Sequence, residues 1–132
     1  MNTDNIPGTD QGRGEMAERF LLAMNNLRKE VGTDVPAHQI QVLTYFWLNG
    51  GANQQEVGKA LNLNAAAASR NCRSLSGYYK KVGGVPVMRG QGLLVGERSI
   101  YDTRAITYKL SQMGEAIMFK FYSDLTGLRE AT

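Results

Sequence analysis

A short polar and basic segment in the middle of the chain has side chains suited to hydrogen bonding with nucleic acid. Its members are Asn64, Ser69, Arg70 and Arg73. The two arginines can reach phosphate or guanine from one face of a helix, and the two shorter side chains can donate or accept hydrogen bonds. Ala65 and Ala66 let a backbone approach bases and touch thymine methyls. The alternative is a plain solvent-exposed helix, since alanine has the highest helix propensity.

Two further segments could add contacts to the same ligand. Asn53 and Gln54 open the preceding helix, where unpaired backbone N–H groups suit a phosphate; the alternative is a simple cap and a solvated glutamine. Arg98 and Arg104 lie near a predicted hairpin tip, where arginine can enter a narrow minor groove. A salt bridge from Asp102 to Arg104 is the structural alternative, and it could also orient the guanidinium.

Helical periodicity predicts how these residues are positioned. An apolar stripe with spacings of three and four predicts a first helix at 14–32, and a second helix near Pro36 is apolar on most of its surface. We expect the second helix to be the buried centre. Asn53 and Asn64 are predicted to cap the third and fourth helices. The fourth, the recognition helix at 64–79, has an inward side made of Ala68, Cys72 and Leu75.

The C-terminal half predicts a wing and a last helix. Glycines and a proline break the helical pattern after Lys81, and β-branched and aromatic residues then predict a two-stranded hairpin, the wing, at 93–110, with its loop near Gly96 to Arg104. Ser111 is predicted to cap a last helix at 111–129. The predicted fold class is therefore mainly α with a small β-hairpin, a winged helix-turn-helix with N- and C-terminal helices that form a dimerisation region.

The first and last helices carry apolar faces that the small winged core does not need. A second copy of the chain is the simplest cover for them, by two-fold symmetry. The residues predicted to form this contact are Met16, Phe20, Met24, Leu27, Ile117, Phe121, Leu125 and Leu128.

Composition limits the class of protein. The 132 residues, 42% of them hydrophobic, suit one domain at 14–132, preceded by a polar, disordered arm at 1–13. The single cysteine, Cys72, cannot form an internal disulfide and is expected to act as a small hydrophobic group, and no apolar run is long enough to span a bilayer. We therefore expect a cytoplasmic protein. Residues 62–109 hold eight basic and two acidic side chains, although the net charge is only +3, as expected of a surface that binds a polyanion.

Two stretches of the sequence resemble the MarR family of winged-helix transcriptional regulators. Ser69 and Arg70 match the Ser-Arg pair of that family's recognition helix. The other matched positions are Asp102, Arg104, Leu110, Ser111 and Gly114 of the wing and the start of the last helix. The resemblance implies a homodimer in which each recognition helix reads half of a palindrome while Arg104 works at the wing. The chain departs from the family at residues 65–67, which are all alanine, at Thr103, and in a long glycine-rich connector at 82–92.

The sequence thus predicts a sequence-specific, double-stranded DNA-binding transcriptional regulator that acts as a homodimer, with its recognition helix in the major groove and its wing at the minor groove. The alternative is a winged-helix accessory module of a replication or packaging assembly, or one that binds an acidic protein partner. No catalytic constellation is visible, so we expect neither an enzyme nor a cofactor. His38 has no companion ligand, so no metal site is expected. A small-molecule effector is compatible with the resemblance, but no residue identifies one.

Overall fold

The computed structural model describes residues 10–98 and 106–127, with side chains from residue 12 onward. Within these ranges the chain is mainly helical with short antiparallel strands, which confirms the predicted fold class. In chain order the elements are α1 (Asp10–Val31), α2 (Ala37–Asn49), β1 (Ala52–Asn53), α3 (Gln54–Leu61), α4 (Ala65–Ser76), β2 (Tyr78–Val82), β3 (Val85–Arg89), β4 (Leu94–Arg98), β5 (Ile106–Leu110) and α5 (Gln112–Thr126).

The chain divides into two compact units. The first contains α1 and the end of α5 from Phe119, and the second runs from Val35 to Met118. Residues 10–13, which were expected in the arm, belong to α1, because that helix begins at Asp10 rather than at residue 14. Residues 1–9 of the expected arm lie outside the described residues.

Polar side chains join α1 to the end of α5 inside the first unit. Asn26 Nδ2 donates to Asp124 Oδ2 at 2.9 Å, and Lys120 Nζ lies 2.9 Å from Asp124 Oδ1. Arg19 Nη1 donates to the carbonyl oxygen of Thr126 at 3.1 Å. Burial favours a higher pKa for Asp124, but the hydrogen bonds from Asn26 and Lys120 and the charge of Lys120 bring that pKa below its ordinary value. The carboxylate of Asp124 is therefore an ionised anchor of this unit.

The second unit has its core around α2, as predicted. Val42, Leu43 and Phe46 of that helix are buried, because its apolar residues recur on most of its surface. Val57 of α3 is also buried. The inward side predicted for the recognition helix is correct, since its members Ala68, Cys72 and Leu75 are all buried.

The predicted helix-turn-helix is confirmed in α3 and α4. Asn53 Oδ1 accepts a hydrogen bond from Glu56 N at 2.9 Å, and Asn64 Oδ1 accepts one from Ala67 N at 2.8 Å, so each asparagine caps its helix as expected. The turn brings α3 and α4 close together at Gly58. A Cβ built on Gly58 would lie 2.9 Å from the carbonyl oxygen of Leu63. Only glycine therefore fits at this crossing without a shift.

The wing belongs to a three-stranded sheet with the strand order β1-β5-β4. Tyr108 at its centre pairs with Ala52 on one side and with Gly96 on the other. Gly96 is thus a residue of β4, and the prediction that the loop starts there is wrong, because the antiparallel ladder continues to the pair Arg98 and Ile106. The connection between the two wing strands lies in residues 99–105, which are outside the described residues.

A second hairpin, formed by β2 and β3, follows α4 directly. The predicted recognition helix at 64–79 is therefore too long: α4 ends at Ser76, and Tyr78 and Tyr79 belong to β2. Gly83 and Gly84 form the two-residue turn with φ of 59° and 83°. Positive φ at both positions is what a tight hairpin turn requires and what glycine allows.

Residues at the start of α5 hold the wing against the helical core. Ser111 Oγ accepts a hydrogen bond from Gly114 N at 3.0 Å, which confirms Ser111 as the cap of the last helix, and it donates to the carbonyl oxygen of Gly92 at 2.6 Å. A Cβ on Gly114 would overlap the carbonyl oxygen of Leu93. These contacts give a physical reason for the serine and the glycine at this spacing.

Candidate functional site

The outer face of α4 carries the side chains predicted to meet nucleic acid. Ala65, Ala66, Arg70 and Arg73 are exposed, and Ser69 is half-buried. Asn64 is exposed too, but its Oδ1 is used by the cap, so the Nδ2 group is what remains to donate to another molecule. The predicted outward side of the recognition helix is therefore the observed one over the length of α4.

Arg73 joins α4 to the second hairpin. Its guanidinium carbon lies 4.4 Å from the centroid of the Tyr78 ring, a cation–π geometry. The stacked arginine keeps its N–H groups in the plane of the guanidinium, where they can still donate to a phosphate. The last turn of α4 and the first residue of β2 thus form one continuous surface.

A groove between α4 and the wing, which we call the wing groove, opens beside this surface. It has a volume of about 790 Å³, and its lining includes Gln54, Ser69, Arg73, Arg98 and Tyr108. It therefore contains an arginine of the recognition helix and one of the two arginines predicted at the wing. Arg98 ends β4, so its backbone position is fixed by the sheet.

Gln54 and Asn53 act first as structural groups. Gln54 Nε2 lies 3.3 Å from the hydroxyl oxygen of Tyr108, which links the start of α3 to β5. The Asn53 side chain caps α3. Both residues still lie at the N-terminus of α3, and Gln54 lines the wing groove, so the placement is compatible with the predicted phosphate contact.

A second groove lies between α4 and the β2–β3 hairpin, and we call it the hairpin groove. It has a volume of about 500 Å³ and is lined by Arg70, Arg73, Ser74, Tyr78, Tyr79 and Lys80. This groove was not predicted from the sequence, because the glycine-rich segment after Lys81 was interpreted as a connector. The signal was present as two runs rich in β-branched and aromatic residues separated by two glycines.

The charged side chains that line the two grooves are all basic. Residues 57–96 contain no aspartate or glutamate. The basic residues of this segment are Lys59, Arg70, Arg73, Lys80, Lys81 and Arg89. Uninterrupted positive charge over an exposed helix and hairpin creates a potential that attracts a polyanion.

Two residues predicted at the wing lie outside the described part of the chain. Arg104 and Asp102 both fall in residues 99–105. The expectation that Arg70 and Arg104 share a surface therefore stays a prediction. Within the described part of the wing, Arg98 takes part in the wing groove together with Arg73.

The predicted dimerisation residues fall into different environments. Met16 and Phe20 are more than half exposed, whereas Leu27, Ile117 and Phe121 are buried within the chain, because packing inside the chain uses the same apolar positions. Met24 and Leu125 are half-buried, and Leu128 lies outside the described residues. Two further residues of α1, Leu21 and Leu22, were not among the predicted dimerisation residues and are 59% and 50% exposed. The exposed large apolar side chains of α1 are thus Met16, Phe20, Leu21 and Leu22.

Cys72 is enclosed in the core of the second unit. The side chain is fully buried, and burial raises the pKa of its thiol to about 11. Within residues 10–98 and 106–127, no three His, Cys, Asp or Glu side chains form a group that could hold a metal ion. None of the helices in those ranges has the length and apolar character of a membrane span.

Comparison with known proteins identifies the fold. No family profile and no curated protein sequence matches the chain. Among solved structures, the MepR–DNA complex of S. aureus superimposes with a TM-score of 0.63 at 19% identity, over 88% of this chain and 80% of that one. A mutant of MarR from E. coli superimposes with a TM-score of 0.53 at 20% identity, over 96% of this chain and 87% of that one. The chain has the MarR-like winged-helix fold.

A third structure with the MarR-like fold, YusO from Bacillus subtilis, has a TM-score of 0.62 at 14% identity and covers 88% of this chain and 69% of that one. Identities this low establish the MarR-like fold alone. Function must come from the side chains on this chain's own surface.

Proposed function

We propose that this protein is a homodimeric, sequence-specific regulator of transcription that binds double-stranded DNA. The observation that carries the proposal is the exposed face of α4, on which Ala65, Ala66, Arg70 and Arg73 lie between two grooves lined by basic residues. Solved structures with this fold include MepR and AbfR in complexes with DNA, which supports the same ligand here.

In this proposal α4 enters the major groove. The small side chains of Ala65 and Ala66 let the helix backbone come close to the bases and offer methyl groups to thymine. Arg70 is the residue with the reach and the donor geometry to read a guanine edge. Asn64 Nδ2 and the half-buried Ser69 hydroxyl add polar contacts, and Asn53 and Gln54 contact the backbone at the start of α3.

The wing, residues 93–110, lies at the minor groove in this proposal. Arg98 at the end of β4 provides one cation, and Arg104 in the connection provides the other, with Asp102 orienting it. A guanidinium in a narrow minor groove reads shape rather than base edges, so the wing would contribute affinity and a preference for A·T-rich flanks.

In this proposal the dimer contact uses the exposed apolar side chains of α1. Met16, Phe20, Leu21 and Leu22 are each at least 50% exposed, and this many large apolar side chains on one helix mark an interaction surface. A second copy related by two-fold symmetry is the simplest partner, because the same surface of each copy then buries the apolar side chains of the other. Two copies would present two α4 helices to the two halves of a palindrome.

The mechanism requires no bond chemistry. A dimer bound across a promoter excludes other proteins sterically, and basic side chains supply most of its affinity through phosphate contacts and counterion release. DNA and a second copy are the partners that this proposal requires, and the working location is the cytoplasm. The described residues assign no small-molecule effector.

One observation favours a second candidate function. The first turn of α4 offers alanine side chains, which lack hydrogen-bonding groups, where base recognition benefits from polar ones. A winged-helix accessory module of a nucleoprotein assembly, or one that docks an acidic protein, needs basic grooves but no base-reading set. Such a module would bind all duplexes with equal affinity.

Selection of bound sequences from a random duplex pool tests the proposal against this alternative. We expect enrichment of a palindrome whose half-sites are about 10 base pairs, or a multiple of that, apart. Binding of the selected site should exceed binding of a scrambled duplex by at least about 1,000-fold at physiological salt. A pool that binds without any enrichment would contradict sequence-specific regulation and favour the accessory module.

Sedimentation velocity tests the dimer separately. The wild-type chain of 14.5 kDa should sediment as a dimer, and Phe20→Glu should sediment as a monomer because it buries a charge in the apolar contact. Gln41→Glu is the matched control, since it adds the same charge to an exposed position of α2, outside the proposed contact. A monomeric wild-type protein, or equal behaviour of the two variants, would rule out this interface.

A further inference from the structure

The function proposed above assigns no DNA contact to the side chains of the β2–β3 hairpin, although several of them are exposed. Tyr79 is 71% exposed, Val85 is 61% exposed and Met88 is 57% exposed. A two-stranded hairpin is marginally stable on its own in water, so contacts with the rest of the chain must stabilise this one.

The anchor is the C-terminal end of α4. Gln91 N donates to Ser74 O at 2.9 Å, and Leu93 N donates to Leu75 O at 2.7 Å. A Cβ built on Gly90 would lie only 2.6 Å from Gly77 Cα, so the two ends of the hairpin meet at the helix terminus. The hairpin is therefore fixed to the recognition helix rather than suspended on a loose connector.

One side of the hairpin faces α4. Side chains alternate along a strand, so Tyr78 and Lys80 share one side of β2 while Tyr79 and Lys81 share the other. Tyr78 lies against Arg73, which identifies its side as the one towards α4. The groove is lined by Tyr78, Tyr79 and Lys80 of β2, whereas Lys81 does not line it.

Three cations border this groove. They are Arg70, Arg73 and Lys80, and within residues 12–98 and 106–127 no carboxylate forms an ion pair with any of them. Three like charges around one open groove repel one another, and a bound anion removes that repulsion. Serine and tyrosine hydroxyls of the same lining, Ser74 and Tyr78, can donate hydrogen bonds to an anionic oxygen.

We propose that the hairpin groove binds backbone phosphates of the DNA duplex, so that the β2–β3 hairpin is a second element, beside α4, that contacts the DNA backbone. This inference rests on the proposed function, because it takes duplex DNA as the ligand. A DNA phosphate is favoured over an apolar ligand for two reasons. The groove is lined by three cations, and it is continuous with the outer face of α4. Phosphate contacts position a protein but carry no sequence information, so the β2–β3 hairpin would add affinity without specificity.

Adjacent lysines provide a matched test. Binding of the full chain to a fluorescent duplex is measured by anisotropy over a series of NaCl concentrations for wild type, Lys80→Ala and Lys81→Ala, with circular dichroism to verify folding. The two variants make the same change in charge at neighbouring exposed positions. Lys80→Ala should weaken binding roughly three- to tenfold and lower the slope of log K against log salt by about 0.9, the value of one lost phosphate contact.

Lys81→Ala should show a clearly smaller loss in both quantities, and Lys80→Arg should retain wild-type binding because it keeps the charge. The ratio of affinities for the selected and scrambled duplexes should stay unchanged in Lys80→Ala. Equal losses in the two alanine variants, or none in Lys80→Ala, would overturn the proposal.

The same titration against poly-glutamate tests the competing partner class. If Lys80→Ala weakened binding to the polypeptide and left duplex binding intact, the groove would belong to an acidic protein and the proposal would be overturned. A wild-type chain that binds no duplex at all contradicts the proposed function itself, whereas a binding wild type with an unaffected Lys80→Ala contradicts only the role of the hairpin.

Discussion

The guanidinium of Arg73 stacks on the ring of Tyr78, with 4.4 Å from its carbon to the ring centroid, and so the recognition helix and the second hairpin share one contact surface. Arg73 also lines both grooves, the one towards the wing and the one towards the hairpin. A single arginine therefore lies at the point where three potential DNA-contacting elements meet.

Removal of the Tyr78 ring should release Arg73. A cation–π contact at an exposed site contributes about 0.5–1 kcal/mol, so Tyr78→Ala should weaken duplex binding about two- to fivefold by leaving the guanidinium less ordered. Tyr78→Phe keeps the ring and should bind within about twofold of wild type. Anisotropy titration with the same duplex measures both, and an equal loss in the two variants would instead point to the hydroxyl as the important group.

Arg70→Ala should reduce sequence discrimination more than it reduces overall affinity. A bidentate arginine–guanine pair is worth about 1–3 kcal/mol of discrimination against the wrong base. At one position of the selected site, we expect the preference for the selected base over the other bases to fall at least about fivefold. Competition with single-base variants of that site measures this preference. Lys59→Ala, which removes an exposed basic side chain from α3, is the control and should keep the wild-type preference. A uniform loss at every position of the site would mean that Arg70 contacts phosphate.

Gly58→Ala should destabilise the second unit. Alanine normally stabilises a helix relative to glycine by about 1 kcal/mol, but here its Cβ would lie 2.9 Å from Leu63 O and press α3 away from the turn that leads into α4. Overpacking of this kind costs about 1–3 kcal/mol in the free energy of unfolding. Gly14→Ala in α1 is the matched control, because its Cβ would meet nothing within 4 Å, and it should be neutral or stabilising. Urea denaturation compares the two.

Asp124 should make stability depend on pH in the acid range. Its pKa in the folded chain is lower than its ordinary value of 3.8, so folding favours the ionised form. The resulting stabilisation is fully present above about pH 3.8 and is lost as pH falls through the folded pKa. Asp124→Asn should therefore lower the free energy of unfolding by about 1–2 kcal/mol at pH 6, with a smaller difference from wild type at pH 3.

The control for Asp124 is Glu15→Gln, which removes a carboxylate from an exposed ion pair with Arg19. That pair has a side-chain exposure of 60% at the glutamate, so its loss should change stability little at either pH. If the difference in the free energy of unfolding between Asp124→Asn and wild type grew as the pH fell, the assigned direction of the pKa shift would be wrong.

Cys72 should react slowly with thiol reagents while the protein is folded. A pKa of about 11, against an ordinary value of 9.0, leaves about 100-fold less thiolate at pH 8, and burial blocks access as well. Labelling with iodoacetamide, followed by mass spectrometry, should be at least about 100-fold slower than in urea. Rapid labelling of the native protein would support a redox role for this residue.

Local chemistry determined much of the helical part of the fold. The caps by Asn53, Asn64 and Ser111 were predictable, because each interaction spans only three residues and depends on the type of the capping side chain. The inward side of α4 followed from the spacing of Ala68, Cys72 and Leu75, since a helix repeats every 3.6 residues. The outward position of Arg70 and Arg73 followed from the same period.

The end of α4 and the second hairpin were harder to predict, because competing local preferences were resolved by contacts distant in sequence. Tyr78 and Tyr79 continue the helical pattern, but the helix ends at Ser76, where Gly77 is the C-cap with a φ of 121° and where Gln91 and Leu93 donate to carbonyl oxygens of the last turn. The two-glycine turn was visible in the sequence, but the partner strand's register was not.

The sequence by itself determined which side chains have the chemistry to bind a polyanion and on which side of their own helix they lie, because both properties are local. The tertiary structure alone decided that Arg73 shares one groove with Arg98 and another with Lys80, and that Leu27, Ile117 and Phe121 are buried within the chain. Those outcomes depend on how elements far apart in sequence pack, and packing is set by the combined shape of many side chains rather than by any local pattern.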